Sequence, residues 1–228
     1  MIYTFSHTGA CHAASHVQNQ DAVCHAENKR YAVISLADGV SSCSEAKTGA
    51  EIAGRAITNL LFKKGSAFFE MNGRQVLELG LSHILYELKQ RAMEDKKEPE
   101  AYSSTISSVL YDKAKQRLLC FHLGDGIILA AGGGRCRILA MPADSSSGCC
   151  ATTTENAHEM AVFKDVSAVG MESVMICSDG AWRQMFERNR LKPEVSAMIS
   201  NHEMRRLEEY LGSQEIFDDH SIIFMDLQ

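Results

Sequence analysis

Between Tyr102 and Met141 the chain is divided into short apolar or alternating runs by breaks of only a few turn-forming residues, and this pattern constrains the fold more than any other feature. The runs cover residues 107–111, 118–123, 127–131 and 136–141. They are separated at Asp112-Lys113, Gly124-Asp125-Gly126 and Gly132-Gly133-Gly134. Such runs, punctuated by such residues, predict strands joined as antiparallel hairpins. A parallel α/β fold would instead require strand and helix to alternate throughout.

Helices fall between blocks of strands rather than between every pair. Residues 32–37 are a short apolar run ending in Asp38-Gly39 and read as a buried strand. Ser42 and Glu45 have the spacing of a capping box. Ala46, Ala50, Ala53, Ile57, Leu60 and Leu61 then recur at helical spacing. Leu77, Leu81, Ile84, Leu85 and Leu88 mark a second amphipathic helix, which gives way to a charged, solvated stretch at residues 94–100. Residues 142–154, rich in small polar residues, read as a loop. Strands follow at 162–166 and 174–177, helices around 182–187 and 193–211, and a last strand at 221–225. The pattern is that of an α+β sandwich in a single domain, residues 1–228.

Composition removes several classes of function. With 23 basic against 29 acidic residues the net charge is −6, the wrong sign for a surface whose main partner is nucleic acid or an anionic membrane. No apolar run approaches the ~18–20 residues of a membrane span, and the N-terminus lacks the pattern of a secretory signal. Eight cysteines are scattered without a C-x-x-C pair, as expected of reduced thiols in a cytoplasmic protein. A chain this long can bury a core without disulfides or a structural metal.

The chemistry-bearing pattern is an apolar strand running into Asp-Gly. It occurs at Leu36-Ala37-Asp38-Gly39, Leu123-Gly124-Asp125-Gly126 and Cys177-Ser178-Asp179-Gly180, with further acidic points at Asn19-Gln20-Asp21 and Phe217-Asp218-Asp219. Carboxylates at strand ends sit on a rigid scaffold, as a defined ion site requires. Converging carboxylates repel one another unless a cation neutralises them, and hard divalent ions with oxygen ligands, magnesium or manganese, suit that role. Each point also has a plainer reading. Asp125-Gly126 serves equally as a hairpin turn, Asp38 and Asp179 as helix caps, and Asp218-Asp219 as the start of a strand.

Taken in order, Gln20-Asp21, Ala37-Asp38-Gly39, Ser104-Thr105, Gly124-Asp125, Ser178-Asp179-Gly180 and Asp218-Asp219 resemble the motifs of the metal-dependent serine/threonine phosphatases of the type 2C family. The likeness runs from Gly9 to Ile223. It is closest to the compact bacterial branch, in which a glycine and a histidine, here Gly9 and His12, precede the Gln-Asp pair. The resemblance implies a four-layer α-β-β-α sandwich of two antiparallel sheets flanked by helices, with a binuclear manganese or magnesium centre at one end. Position by position, Asp38 would bridge both ions and the Gly39 carbonyl would add a ligand. Asp179 and Asp218 would be direct ligands, Asp21 would hold metal-bound water, and Asp125 with Asp179 would form a weaker third site.

The implied reaction is hydrolysis of phosphoserine or phosphothreonine by a metal-activated water, with no protein nucleophile. That agrees with the absence of a Cys-x5-Arg signature and of a G-x-S-x-G elbow. Phosphoproteins would be the substrates, with a serine/threonine kinase or its targets as further partners. Three positions depart from the family. His16 stands where many members carry a phosphate-binding arginine, Gln20 stands where others have glutamate, and Val40 stands where some relatives have a histidine proposed as general acid, so that leaving-group protonation would come from water or another group, with His12 and His16 as candidates. These departures motivate a second reading, a weak or inactive relative that binds phosphoproteins as a regulatory module. A third is a hydrolase of small phosphate esters.

Other residues have local readings. Cys11, His12 and His16 could serve zinc only with a fourth ligand, for which Cys43 is the one guess. Cys149-Cys150 is a vicinal pair in the small-residue loop, and Trp182 is placed to anchor a helix to the sheet.

Overall fold

The apolar run at 32–37 lies within a strand, β3 (Tyr31–Asp38), whose every residue but the last is buried. The reason is visible in the side-chain alternation. Ala32, Ile34 and Leu36 enter one apolar cluster, whereas Val33 and Ala37 enter another. A strand covered on both faces reads as a continuous hydrophobic run rather than an alternating one. The polar exception, Ser35, is accommodated by a buried chain of hydroxyls. Thr58 donates to Ser35 Oγ at 2.8 Å, Ser35 and Ser108 lie 2.7 Å apart, and Ser108 donates to the Ile34 carbonyl.

The computed structural model describes residues 1–141 and 151–228. The elements preceding and following β3 are β1 (Ile2–His7), α1 (Ala10–Ala14), β2 (Asp21–Glu27), α2 (Ala46–Phe68) and α3 (Gly73–Asp95). Then come β4 (Ile106–Asp112), β5 (Arg117–Leu123), β6 (Ile127–Gly132), β7 (Arg135–Ala140), α4 (Ala157–Met160), β8 (Val162–Ser167) and β9 (Ser173–Cys177). The chain ends with α5 (Asp179–Met185), β10 (Phe186–Glu187), β11 (Arg190–Leu191), α6 (Pro193–Ser200), α7 (Met204–Gly212) and β12 (His220–Asp226).

Two five-stranded sheets result, ordered β1-β12-β9-β6-β7 and β2-β3-β4-β5-β8, every pairing antiparallel. Ile34, Val109, Cys120, Ile128, Ile176 and Ile223 fill the space between the sheets. Ile57, Leu61, Ile84 and Leu88 of α2 and α3 cover the outer face of the second sheet, and Met185, Val195, Ile199, Leu207 and Leu211 of α5–α7 cover that of the first. This is the expected four-layer α-β-β-α sandwich.

Five local expectations are corrected. The break at Gly124-Asp125-Gly126 is not a hairpin: β5 pairs with β4 and β8, while β6 pairs with β7 and β9, so the chain crosses from one sheet to the other there. Ser42 and Glu45 do not form a capping box. Glu45 is the N-cap of α2 without a side-chain cap bond, its N–H donating to the Ala101 carbonyl and its carboxylate pairing with Lys97. The observed capping box is Asn72 with Gln75, at the start of α3. Residues 193–211 form two helices, interrupted where His202 takes a left-handed φ of 58°. Two strands, β1 and β2, precede the run at 32–37, and α3 continues to Asp95, shortening the loop read at 94–100 to a link into a 3-10 turn at Pro99–Tyr102. Most of the loop read at 142–154, with Cys149-Cys150, lies outside the described residues.

Ile176, fully buried between the sheets, tests this packing. Ile176→Ala should cost about 2–5 kcal/mol, seen in urea titration as a lower midpoint with an unchanged slope.

Candidate metal centre

The topology brings seven strand termini to one end of the sandwich. Antiparallel order places the start of β2, the end of β3, the start of β4 and the end of β5 together, and likewise the start of β6, the end of β9 and the start of β12. Asp21 opens β2 and Asp38 closes β3, directly opposite each other in register. Beside them the Asp38 carbonyl accepts from Thr105 N–H at 2.7 Å, Thr105 Oγ1 accepts from Asp38 N–H at 3.1 Å, and Gly39 bridges to Ser104. Asp125 sits in the sheet-to-sheet crossing, where its carbonyl accepts from the Trp182 indole N–H at 2.8 Å. Trp182 therefore ties α5 to this crossing, and Asp179 begins the same helix.

Glycine permits the closest approaches. A Cβ on Gly180 would lie 2.3 Å from the Asp219 carbonyl oxygen, and one on Gly9 would lie 2.2 Å from the Asp218 carbonyl carbon. Only glycine lets the segment before β12 pass so near both α5 and α1. Asp219 then fastens the three pieces. Its carboxylate accepts from Gly9 N–H at 2.8 Å and from Gln20 N–H at 2.6 Å, and lies 2.8 Å from His12 Nδ1. The two aspartates of the pair thus have different surroundings. Asp219 is buried and fully engaged, whereas Asp218 is exposed at the mouth, with Oδ1 accepting from Asp219 N–H.

The electrostatics at this end are strained. Both oxygens of Asp21, a residue only 2% exposed, have no hydrogen-bond partner, and neither has Oδ1 of Asp179. Burial pushes the Asp21 carboxyl up to about 7, against the lowering influence of the nearby Ser221 and Ser178 hydroxyls. Burial, followed by the charges of Asp21, Asp179, Asp125 and Asp218, raises Asp38 well above the ordinary carboxylate range. Asp179 is raised to about 6 by burial and by Asp125, with Arg183 pulling the other way, and Asp125 is raised chiefly by burial. The arrangement holds excess negative charge in a site that disfavours it.

Oxygen-only donors, orphaned buried carboxylate oxygens and mutual repulsion fit a hard divalent cation. Among the described residues no group of three His, Cys, Asp or Glu side chains forms a ready metal-binding set. The structure brings together Asp21, Asp38, Asp125, Asp179 and Asp218, which bear on one another electrostatically. His12 is drawn in through Asp219. His16 is not: it follows α1 on an exposed stretch with a left-handed φ of 55°, and no hydrogen bond or ion pair involves its ring among the described residues. Cys11 is exposed, and the Cys43 thiol donates to the Glu100 carbonyl, so neither joins His12. Sequence reasoning missed the engagement of Asp219, the hydroxyls of Ser178 and Ser221, and Arg183. Only Arg183 carried a local signal, its spacing of four from Asp179.

The sequence matches the protein phosphatase 2C family model over residues 8–214. The chain belongs to the protein phosphatase 2C family. No curated protein matches it by sequence. Among solved structures, it is similar to a bacterial serine phosphatase bearing an R161A mutation, with a TM-score of 0.66, 13% identity, and coverage of 100% of this chain and 98% of that one. The serine/threonine phosphatase Stp1 from Staphylococcus aureus gives a TM-score of 0.65 at 12% identity, covering 100% and 94%. RsbX in complex with magnesium gives 0.57 at 13% identity, covering 98% and 92%. At such identities the neighbours show a shared fold. Among the described residues no helix is long and apolar enough to cross a membrane.

In this protein phosphatase 2C fold, Asp21→Asn reads the buried charge directly. A carboxyl with a folded value near 7 and an ordinary unfolded value binds its proton more tightly in the native state. Between about pH 4 and 7 it therefore makes the metal-free protein less stable as pH rises. Asn removes that penalty. The metal-free variant should exceed the wild type in Tm by a margin that grows from pH 4 to 7 and levels off above, measured by calorimetry in chelator. A margin independent of pH would contradict the assignment.

Proposed function

We propose that this protein is a metal-dependent phosphoprotein phosphatase that hydrolyses phosphoserine and phosphothreonine at a binuclear manganese or magnesium centre, the whole chain forming one catalytic domain. The observation that carries this reading is the set of buried, partnerless carboxylate oxygens on Asp21 and Asp179 beside Asp38, in a chain of the protein phosphatase 2C family. Asp38 with the Gly39 carbonyl, Asp179 and Asp218 would hold the ions, and Asp21 would hold water bound to them. Two bound ions would supply an activated water and charge stabilisation for the transferring phosphoryl group.

The chain's own residues do the rest. Asp219 fixes the register of Gly9, His12 and Gln20 against the start of β12. With Nδ1 directed to Asp219, His12 keeps Nε2 for a proton, so it is the better placed of the two histidines to protonate a leaving alkoxide. His16 lies on the exposed stretch after α1. The magnesium complex of RsbX supports a divalent ion, and a structural neighbour from the bacterial stressosome supports a partner in regulation.

The exposed, unengaged His16 and the partnerless buried Oε1 of Gln20 favour one second reading, a weak or inactive relative that binds phosphoproteins without turning them over. Hydrolysis of p-nitrophenyl phosphate separates the two. Metal-stripped protein should be inactive, manganese or magnesium should restore turnover, and Asp38→Asn and Asp179→Asn should each lower it by ~100-fold or more. Metal-independent turnover, or full activity in both variants, would overturn the first reading. Tight phosphopeptide binding without metal-stimulated turnover would establish the second.

A further inference from the structure

The family resemblance assigns a third, weaker ion to Asp125 and Asp179. The structure supplies a different cation at that pair. Arg183 lies four residues beyond Asp179 on α5, and its Nη1 is 2.9 Å from Asp179 Oδ2. The same helix carries Trp182, whose indole N–H holds the Asp125 carbonyl at 2.8 Å. One turn of α5 thus fixes the aspartate, the guanidinium and the crossing that bears the second aspartate. The positive charge acts on both carboxylates, opposing the upward shift of Asp125 as well as that of Asp179.

Given the two-ion reading of the site, on which this step rests, we propose that Arg183 is the resident cation of the Asp125–Asp179 pair and that this chain holds no third metal ion there. The two oxygens of Asp179 are divided between tasks. Oδ2 is taken by the guanidinium, while Oδ1 is buried and partnerless, left for the ions shared with Asp38. A divalent ion between Asp125 and Asp179 would have to displace a charge-assisted hydrogen bond and sit beside a like charge. Arginine cannot relieve that repulsion by losing its proton. The Arg183 side chain is 56% exposed, so the guanidinium meets the buried Asp179 carboxylate from the solvent side. Arg183 is a positioning residue for Asp179.

Equilibrium dialysis against manganese tests this without reference to activity. The wild-type protein should bind two ions and show no weaker class that depends on Asp125. Arg183→Ala should gain one further, weaker ion per chain, and the double variant Arg183→Ala/Asp125→Asn should lose it again. Arg183→Lys, which keeps the charge, should behave as the wild type. In metal-free buffer Arg183→Ala should have a lower Tm than the wild type and recover it as manganese is added. A weak class in the wild type that Asp125→Asn abolishes would overturn the proposal, as would an Arg183→Ala variant with wild-type stoichiometry. Failure of the wild type to bind any ion would instead overturn the two-ion reading. The role of Arg183 would still be decided by whether its removal creates an Asp125-dependent ion.

Discussion

Two aspartates face each other across the last rung of the β2–β3 ladder, Asp21 buried and Asp38 half-buried, and the rest of this end of the molecule depends on that pairing. A buried carboxylate without a partner costs several kcal/mol. A fold can carry Asp21, Asp38 and Asp179 together only by keeping protons on them or by placing a cation among them. The raised values of all three carboxyls express the first solution. The proposed divalent ions would supply the second.

The scaffold that tolerates this strain is rigid where it must be. Three apolar layers hold two sheets and two helical layers together, and the carboxylates project from strand ends rather than from long loops. The segment before β12 is held by Asp219, which satisfies the N–H groups of Gly9 and Gln20 and meets His12 from across more than 190 residues of sequence. Neighbouring aspartates in one dipeptide thereby divide the work, one structural and one open to the mouth.

Much of this was legible in the sequence, for identifiable reasons. Strands β3, β5, β6, β9 and β12 are covered on both faces and so stand out as apolar runs. Strand β1 was missed because it is a sheet edge with mostly half-buried or exposed residues, and β2 because the positions it turns to the helical layer are the small Ala22, Cys24 and Ala26. The Asp125 turn was ambiguous because a hairpin and a crossing between sheets share the same local chemistry; they differ only in which strands β6 meets. Asp38, Asp179 and Asp21 could be picked out by their position after or before apolar runs. The engagement of Asp219 could not, since its partners lie at the other end of the chain.

The proposed role of the buried carboxylates is to hold divalent cations. Anomalous diffraction from crystals grown with manganese tests it most directly. Two peaks about 3.5–4 Å apart are expected, both in contact with the Asp38 carboxylate, with Asp179 and Asp218 completing the set. Crystals whose carboxylates pair with one another through shared protons, with no manganese among them at neutral pH, would contradict it.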